Sequence, residues 1–167
     1  MRLLAALFAC CVAVATLLPL GGCSPGGSGM GDPELARDAL ADLIVALHED
    51  DFTKALPRIE VADGLVAIGH PQAPEYARMK PEERTELARE LYRTMRGPLK
   101  ATELTSHAAV KAALAAGTLQ PMPQLKVTVV RFTAHDTERK NRPLQFEAKM
   151  RWGLDSTWRA VSIQEAR

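Results

Sequence analysis

The sequence predicts an α+β fold, with N-terminal helices packed on a C-terminal antiparallel sheet. Apolar residues recur at three- and four-residue spacing through the first two thirds of the chain and alternate with polar ones near its end. Pro121 and Pro123 mark the change of period between the two regimes. Helices first and an antiparallel meander last is an α+β order rather than the βαβ order of a parallel sheet.

Each element has its own signal. Asp32-Pro33-Glu34 reads as an N-cap, a proline at the first helical position and an acid where the helix dipole favours one. Leu35, Ala36, Ala39, Leu40, Leu43, Ile44 and Leu47 carry that helix to about residue 48, with Asp38 and Asp42 on its other side. A short helical stretch, Phe52 to Leu56, follows and stops at Pro57. In 57–80 the run Leu65-Val66-Ala67-Ile68, between Asp63-Gly64 and Gly69-His70-Pro71, reads as a buried turn or a small strand. Pro81-Glu82-Glu83 opens the next helix; Leu87, Leu91 and Met95 form its apolar stripe and Gly97-Pro98 its expected stop. An Ala-rich helix fits Ser106 to Ala116, ended by Gly117.

Three strands are expected. Leu125, Val127 and Val129 share one face of the first, with Lys126, Thr128, Val130 and Phe132 on the other. Leu144, Phe146, Ala148, Met150 and Trp152 alternate with Gln145, Glu147, Lys149 and Arg151 in the second. Gly153 to Ser156 turns the chain into the third, Trp158 to Gln164. The polar run Thr137 to Arg142, opened by His135-Asp136, reads as a hairpin loop. Of the few aromatic residues, Phe132, Phe146, Trp152 and Trp158, with Met150 beside them, line either the core or a ligand pocket.

The N-terminus carries the sharpest signal. Arg2 is the sole charge before Asp32 and precedes the continuous apolar run Leu3 to Leu18. As a helix this run spans roughly 24 Å, short of the roughly 30 Å of a bilayer core, so it reads as a secretory signal rather than a permanent span. Leu20-Gly21-Gly22-Cys23 then resembles the lipobox of bacterial lipoproteins. That resemblance implies cleavage of residues 1–22, a diacylglycerol thioether on Cys23 and attachment to the cell envelope. Ser24 resembles outer-membrane sorting. Residues 23–31, rich in glycine and serine, form a tether, and 32–167 form one α+β domain. Cys10 and Cys11 leave with the signal, so the domain relies on its core rather than on disulfides.

The long first helix, the acidic step into Asp51-Phe52-Thr53-Lys54-Ala55-Leu56 and the closing Trp158-Arg159-Ala160-Val161 are similar to the nuclear-transport-factor-2-like (cystatin-like) superfamily. The resemblance implies a curved sheet wrapped round a helix into a cone, whose mouth is a pocket in some members and is filled in others. A helix-covered sheet of another α+β family is the alternative.

Twenty-one Lys and Arg balance twenty Asp and Glu, which gives no basic excess for nucleic acid. The balance is uneven along the chain: 32–60 holds eight acids against three bases, and 124–167 five against nine. Lys149 and Arg151 on the outer sheet face either meet anionic headgroups or polysaccharide or are simply the water side of a strand. His48-Glu49-Asp50-Asp51 reads as a solvated helix end, and His70, His107 and His135 lack metal-ligand spacing. The chain carries no GxSxG, P-loop, GxGxxG or CxxC, and no catalytic residue, cofactor or metal is assigned, although an acid/base site built from residues far apart in sequence needs no such motif. The reading is a membrane-anchored, non-catalytic binding or structural module. Its partners are the membrane, through the lipid on Cys23, and an envelope protein, a glycan or a small apolar ligand. A small acid/base enzyme with a hydrophobic cone-shaped pocket is the alternative.

Overall fold

The structure is a computed structural model that describes residues 29–166. The segment read as signal peptide, the lipobox and Cys23 lie outside the described residues. Helix α1 (Pro33–His48) starts where its cap predicts, with the Asp32 carboxylate accepting from the Glu34 N–H at 2.9 Å. Such a cap contributes about 1 kcal/mol. Ala36, Leu40, Ala41, Leu43, Ile44, Ala46 and Leu47 are all buried, a stripe too wide for one contact face. Helix α1 is therefore covered on several sides, by α2 (Phe52–Ala55), α4 (Pro81–Leu99) and α5 (His107–Ala116), and by the sheet.

The run at 65–68 is neither turn nor strand, because Val61–Ala67 forms helix α3. Val61, Gly64 and Leu65 are its buried residues, and this helical period starts before the apolar run that masked it. Gly64 acts here by close approach rather than as a turn. A Cβ on it would sit 2.4 Å from Leu91 Cδ2 and 2.9 Å from the Val161 carbonyl, so it lets α3 press on α4 and the sheet. Gly97-Pro98 is likewise no stop, and α4 runs on to Leu99. A proline in the last turn removes a single helical hydrogen bond, Leu99 is buried at 1% exposure, and the Lys100 N–H still reaches the Arg96 carbonyl at 3.1 Å.

The sheet has four strands rather than three, in the order β1-β2-β3-β4, all antiparallel: β1 (Thr118–Met122), β2 (Val127–Asp136), β3 (Arg142–Trp152) and β4 (Trp158–Glu165). Strand β1 contains Pro121, which reads as a breaker but is tolerated because β1 is an edge. Strand β2 begins at Val127, not Leu125. Leu125 belongs to a 3-10 turn (Pro123–Leu125), and Lys126 is left-handed at φ 53°. His135 and Asp136 close β2 rather than open the loop, which narrows to the turn before Arg142. Thr128, Val130, Phe132 and Ala134 on β2 face the core with Phe146, Ala148 and Met150 on β3, and Phe132 lies directly opposite Phe146. On β4 a bulge opposite Lys149/Met150 inserts one residue, so Ala160 and Ile163 both pair with core positions although three residues apart.

Two ends of the molecule follow from these pairings. Trp158 Nε1 donates to the Asp32 carbonyl at 3.0 Å, so α1 starts beside the start of β4. The turns joining β1 to β2 and β3 to β4 lie at this end, linked by the Trp152 N–H to the Lys126 carbonyl at 2.8 Å. The far end holds the C-termini of α1 and α4 and the β2–β3 hairpin, whose Thr137 N–H reaches the Ala101 carbonyl at 2.8 Å. Helix α1 spans about 24 Å between the two.

Candidate functional site

The residues expected to line core or pocket are mostly core. Phe132, Phe146, Met150 and Trp158 are all 5% exposed or less. The two phenylalanine rings stack with centroids 5.3 Å apart and planes at 14°. They belong to one continuous buried cluster with side chains of α1, α4 and α5. Trp152 is half-buried, 5.3 Å from the Trp158 ring, and borders a depression at the near end. Cys23 lies outside the described residues.

The basic sheet face is largely neutralised. Arg131 Nε meets Glu147 at 3.0 Å, Arg151 pairs with Asp63, and Arg159 pairs with Asp155. The histidines stand apart. His70 lies 3.4 Å from Glu90, His107 3.1 Å from Asp42, and His135 2.9 Å from Glu103. Asp136 spends its carboxylate on the N–H groups of Glu138 and Arg139, which shapes the hairpin. Among the described residues no three His, Cys, Asp or Glu side chains converge as metal ligands would.

A groove of about 450 Å³ lies at the far end, between α4 and the step from α1 to α2. Arg89, Arg93, Arg96 and Lys100 line it; spacings of four, three and four place them on one helical face over about 16 Å. Gly97 leaves open space among them, since a Cβ there would meet nothing within 4 Å.

The wall is built from the aromatic pair and Asp50. Phe52 and Tyr92 meet edge to face at 5.4 Å and 87°, and the Arg89 guanidinium lies 4.6 Å over the Phe52 ring. Asp50 adopts a left-handed backbone, φ 58°, a conformation aspartate tolerates better than most residues. That geometry shares its carboxylate: Tyr92 donates to Oδ1 at 2.9 Å and Arg96 Nη2 lies 3.2 Å from Oδ2. Arg96 also donates from Nε to the Leu47 carbonyl at 2.9 Å. Burial, then the bond to Asp50 and its charge, pushes the Tyr92 phenol up to about 12, so it stays a neutral donor.

The four cations thus divide in two. Arg89 and Arg96 are fixed by Phe52, Asp50 and Leu47, whereas Arg93 and Lys100 are exposed and have no carboxylate within ion-pair distance among the described residues. Arg139, Lys140 and Arg142 add exposed positive charge on the adjacent hairpin. Two exposed, uncommitted cations beside two fixed ones, over an aromatic wall, can bind repeated negative charge along a line. Sequence reasoning missed this site because it read α4 for its apolar stripe. The signal was available as the Arg89-Arg93-Arg96-Lys100 spacing on the opposite face.

Deeper in the same end, His48 Nε2 is buried without a hydrogen-bond partner among the described residues. Burial pulls the imidazole below its usual pKa, against the opposing backbone of Leu99 and with help from the Arg96 charge.

Comparison with protein-family models, with curated proteins and with solved structures finds no match to this chain.

Proposed function

We propose that this chain is a lipid-anchored lipoprotein of the bacterial outer membrane that acts as a non-catalytic binding module. Its ligand is a linear acidic glycan held in the α4 groove. The anchor reading rests on Leu20-Gly21-Gly22-Cys23 behind the apolar run, with Ser24 favouring the outer membrane. Within this reading the domain is a nuclear-transport-factor-2-like cone of the filled kind. The observation that carries the binding proposal is the exposed pair Arg93 and Lys100, set in one stripe with Arg89 and Arg96. Guanidinium forks match carboxylate or phosphate groups bidentately, and the stripe's length suits several successive charges better than a single small anion.

The test uses polygalacturonate, a linear polymer of carboxylates, titrated into the mature chain in detergent micelles. Binding is expected to weaken with added salt. Reversal of Arg93 and Lys100 to Glu should lower affinity by about tenfold or more, while reversal of the hairpin Lys140 should do less. Equal affinity of the Arg93→Glu/Lys100→Glu variant and the native chain would refute the groove as the site.

A further inference from the structure

We propose that the end of the domain nearest the tether is a membrane-docking face, which rests on the bilayer and directs the α4 groove away from it. The inference rests on the lipid anchor at Cys23. Five large hydrophobic residues are exposed among the described residues, and three of them, Leu35 at 52%, Leu125 at 63% and Leu154 at 100%, stand at this one end. Leu125 and Leu154 occupy the tips of two different turns, yet they border one depression together with Lys126 and Trp152. Single exposed leucines on a surface are ordinary. Two at adjacent turn tips beside a half-buried tryptophan form the apolar-and-aromatic arrangement that suits the interface of a bilayer.

The entry point of the chain selects the occupant. Met30 packs against the core, and the backbone of Gly31 lies directly on the Trp152 ring, since a Cβ there would fall 2.5 Å from it. From Cys23 to Gly31 the chain reaches at most about 28 Å, and a glycine-rich segment of that length averages roughly 16 Å between its ends. A lipid on Cys23 therefore holds this end close to the bilayer and leaves the groove roughly the length of α1 farther out. Charge does not oppose contact. Asp63 and Asp155 are taken by Arg151 and Arg159, Glu60 lies 3.5 Å from Arg159, and Lys126, exposed and without an ion-pair partner among the described residues, adds positive charge toward anionic headgroups.

Trp152 and Trp158 are the only tryptophans of the protein, and both lie at this end, Trp152 half-buried at the surface and Trp158 in the core behind it, so native emission reports on it. The mature chain is reconstituted into vesicles of zwitterionic and anionic phospholipid whose acyl chains are brominated close to the headgroup. Bromine quenches a nearby indole, and the emission is compared with that in unbrominated vesicles. Docking predicts clear quenching of the native protein and loss of most of it in the Leu125→Ser/Leu154→Ser variant, whose changes are exposed and leave the core intact. The same samples are floated through a density gradient, and the mass of the Cys23 peptide is determined. Quenching that is absent, or equal in native and variant, in a chain that carries lipid on Cys23 and floats with the vesicles overturns the docking face alone. A chain without lipid on Cys23 that fails to float overturns the anchor, and the docking face with it.

Discussion

Removing the Phe146 ring is the most demanding test of how the sheet meets the helices. The ring is 1% exposed, stacked on Phe132 directly across the β2–β3 ladder and enclosed in the buried cluster that the sheet shares with α1, α4 and α5. A phenyl group takes about 150 Å² of apolar surface out of water, worth about 4 kcal/mol at roughly 25 cal/mol per Å². The stacked partner and the continuous buried cluster leave little room for collapse, so the cost of Phe146→Ala falls at about 3–5 kcal/mol. That is a large share of the roughly 5–15 kcal/mol a domain of this size has in total. Urea unfolding of the protein, followed by the emission of Trp152 and Trp158, should show a much lower midpoint with the slope nearly unchanged. Lys149→Ala, three residues along the same strand and on the opposite face, should stay within about 0.5 kcal/mol. A Phe146→Ala cost under about 1 kcal/mol, or a larger effect at Lys149, would mean that the core face is misassigned by one residue and that Phe146 borders open space.

Further outcomes follow from single side chains. Thr128 is fully buried on the core face with no partner for its hydroxyl among the described residues, so the near-isosteric Thr128→Val should raise stability by about 1 kcal/mol in the same urea assay; a loss would mean the hydroxyl is satisfied. His48 binds its proton less readily in the folded chain than in the unfolded one, so the unfolded state takes up more protons below the ordinary imidazole range. Its contribution is fully present above about pH 6.5 and is lost as the pH falls through the folded value. The native chain should therefore lose stability between pH 7.5 and 5.5 more steeply than His48→Gln, and parallel profiles would refute the assignment.

Local chemistry made much of this architecture readable. Asp32-Pro33-Glu34 specifies the start of α1 without tertiary help, and the alternation from Leu144 to Trp152 encodes the core face of β3 because period two has a single solution. The elements that escaped are those in which tertiary contact overrides a local breaker. Gly64 serves close helix packing although Asp63-Gly64 resembles a turn, Pro121 sits in a strand because that strand is an edge, and Pro98 lies inside a helix held down by Leu99. The bulge in β4 is invisible to an alternation count, since it shifts the period at one residue. For the groove, the cationic spacing on α4 was legible, but the bond between Tyr92 and Asp50, 42 residues apart, depends on folding.

The proposed lipid anchor is what would display the basic groove to the envelope, and the chemistry of Cys23 tests it most directly. Cells expressing the full chain are fractionated, and the N-terminal peptide of the protein is analysed by mass spectrometry beside that of Cys23→Ser. The proposed anchor predicts a peptide that begins at Cys23 and carries a diacylglycerol, found in the membrane fraction, with Cys23→Ser released from it or left uncleaved. An unmodified Cys23, or a Cys23→Ser protein that fractionates and is processed as the native one is, would contradict it.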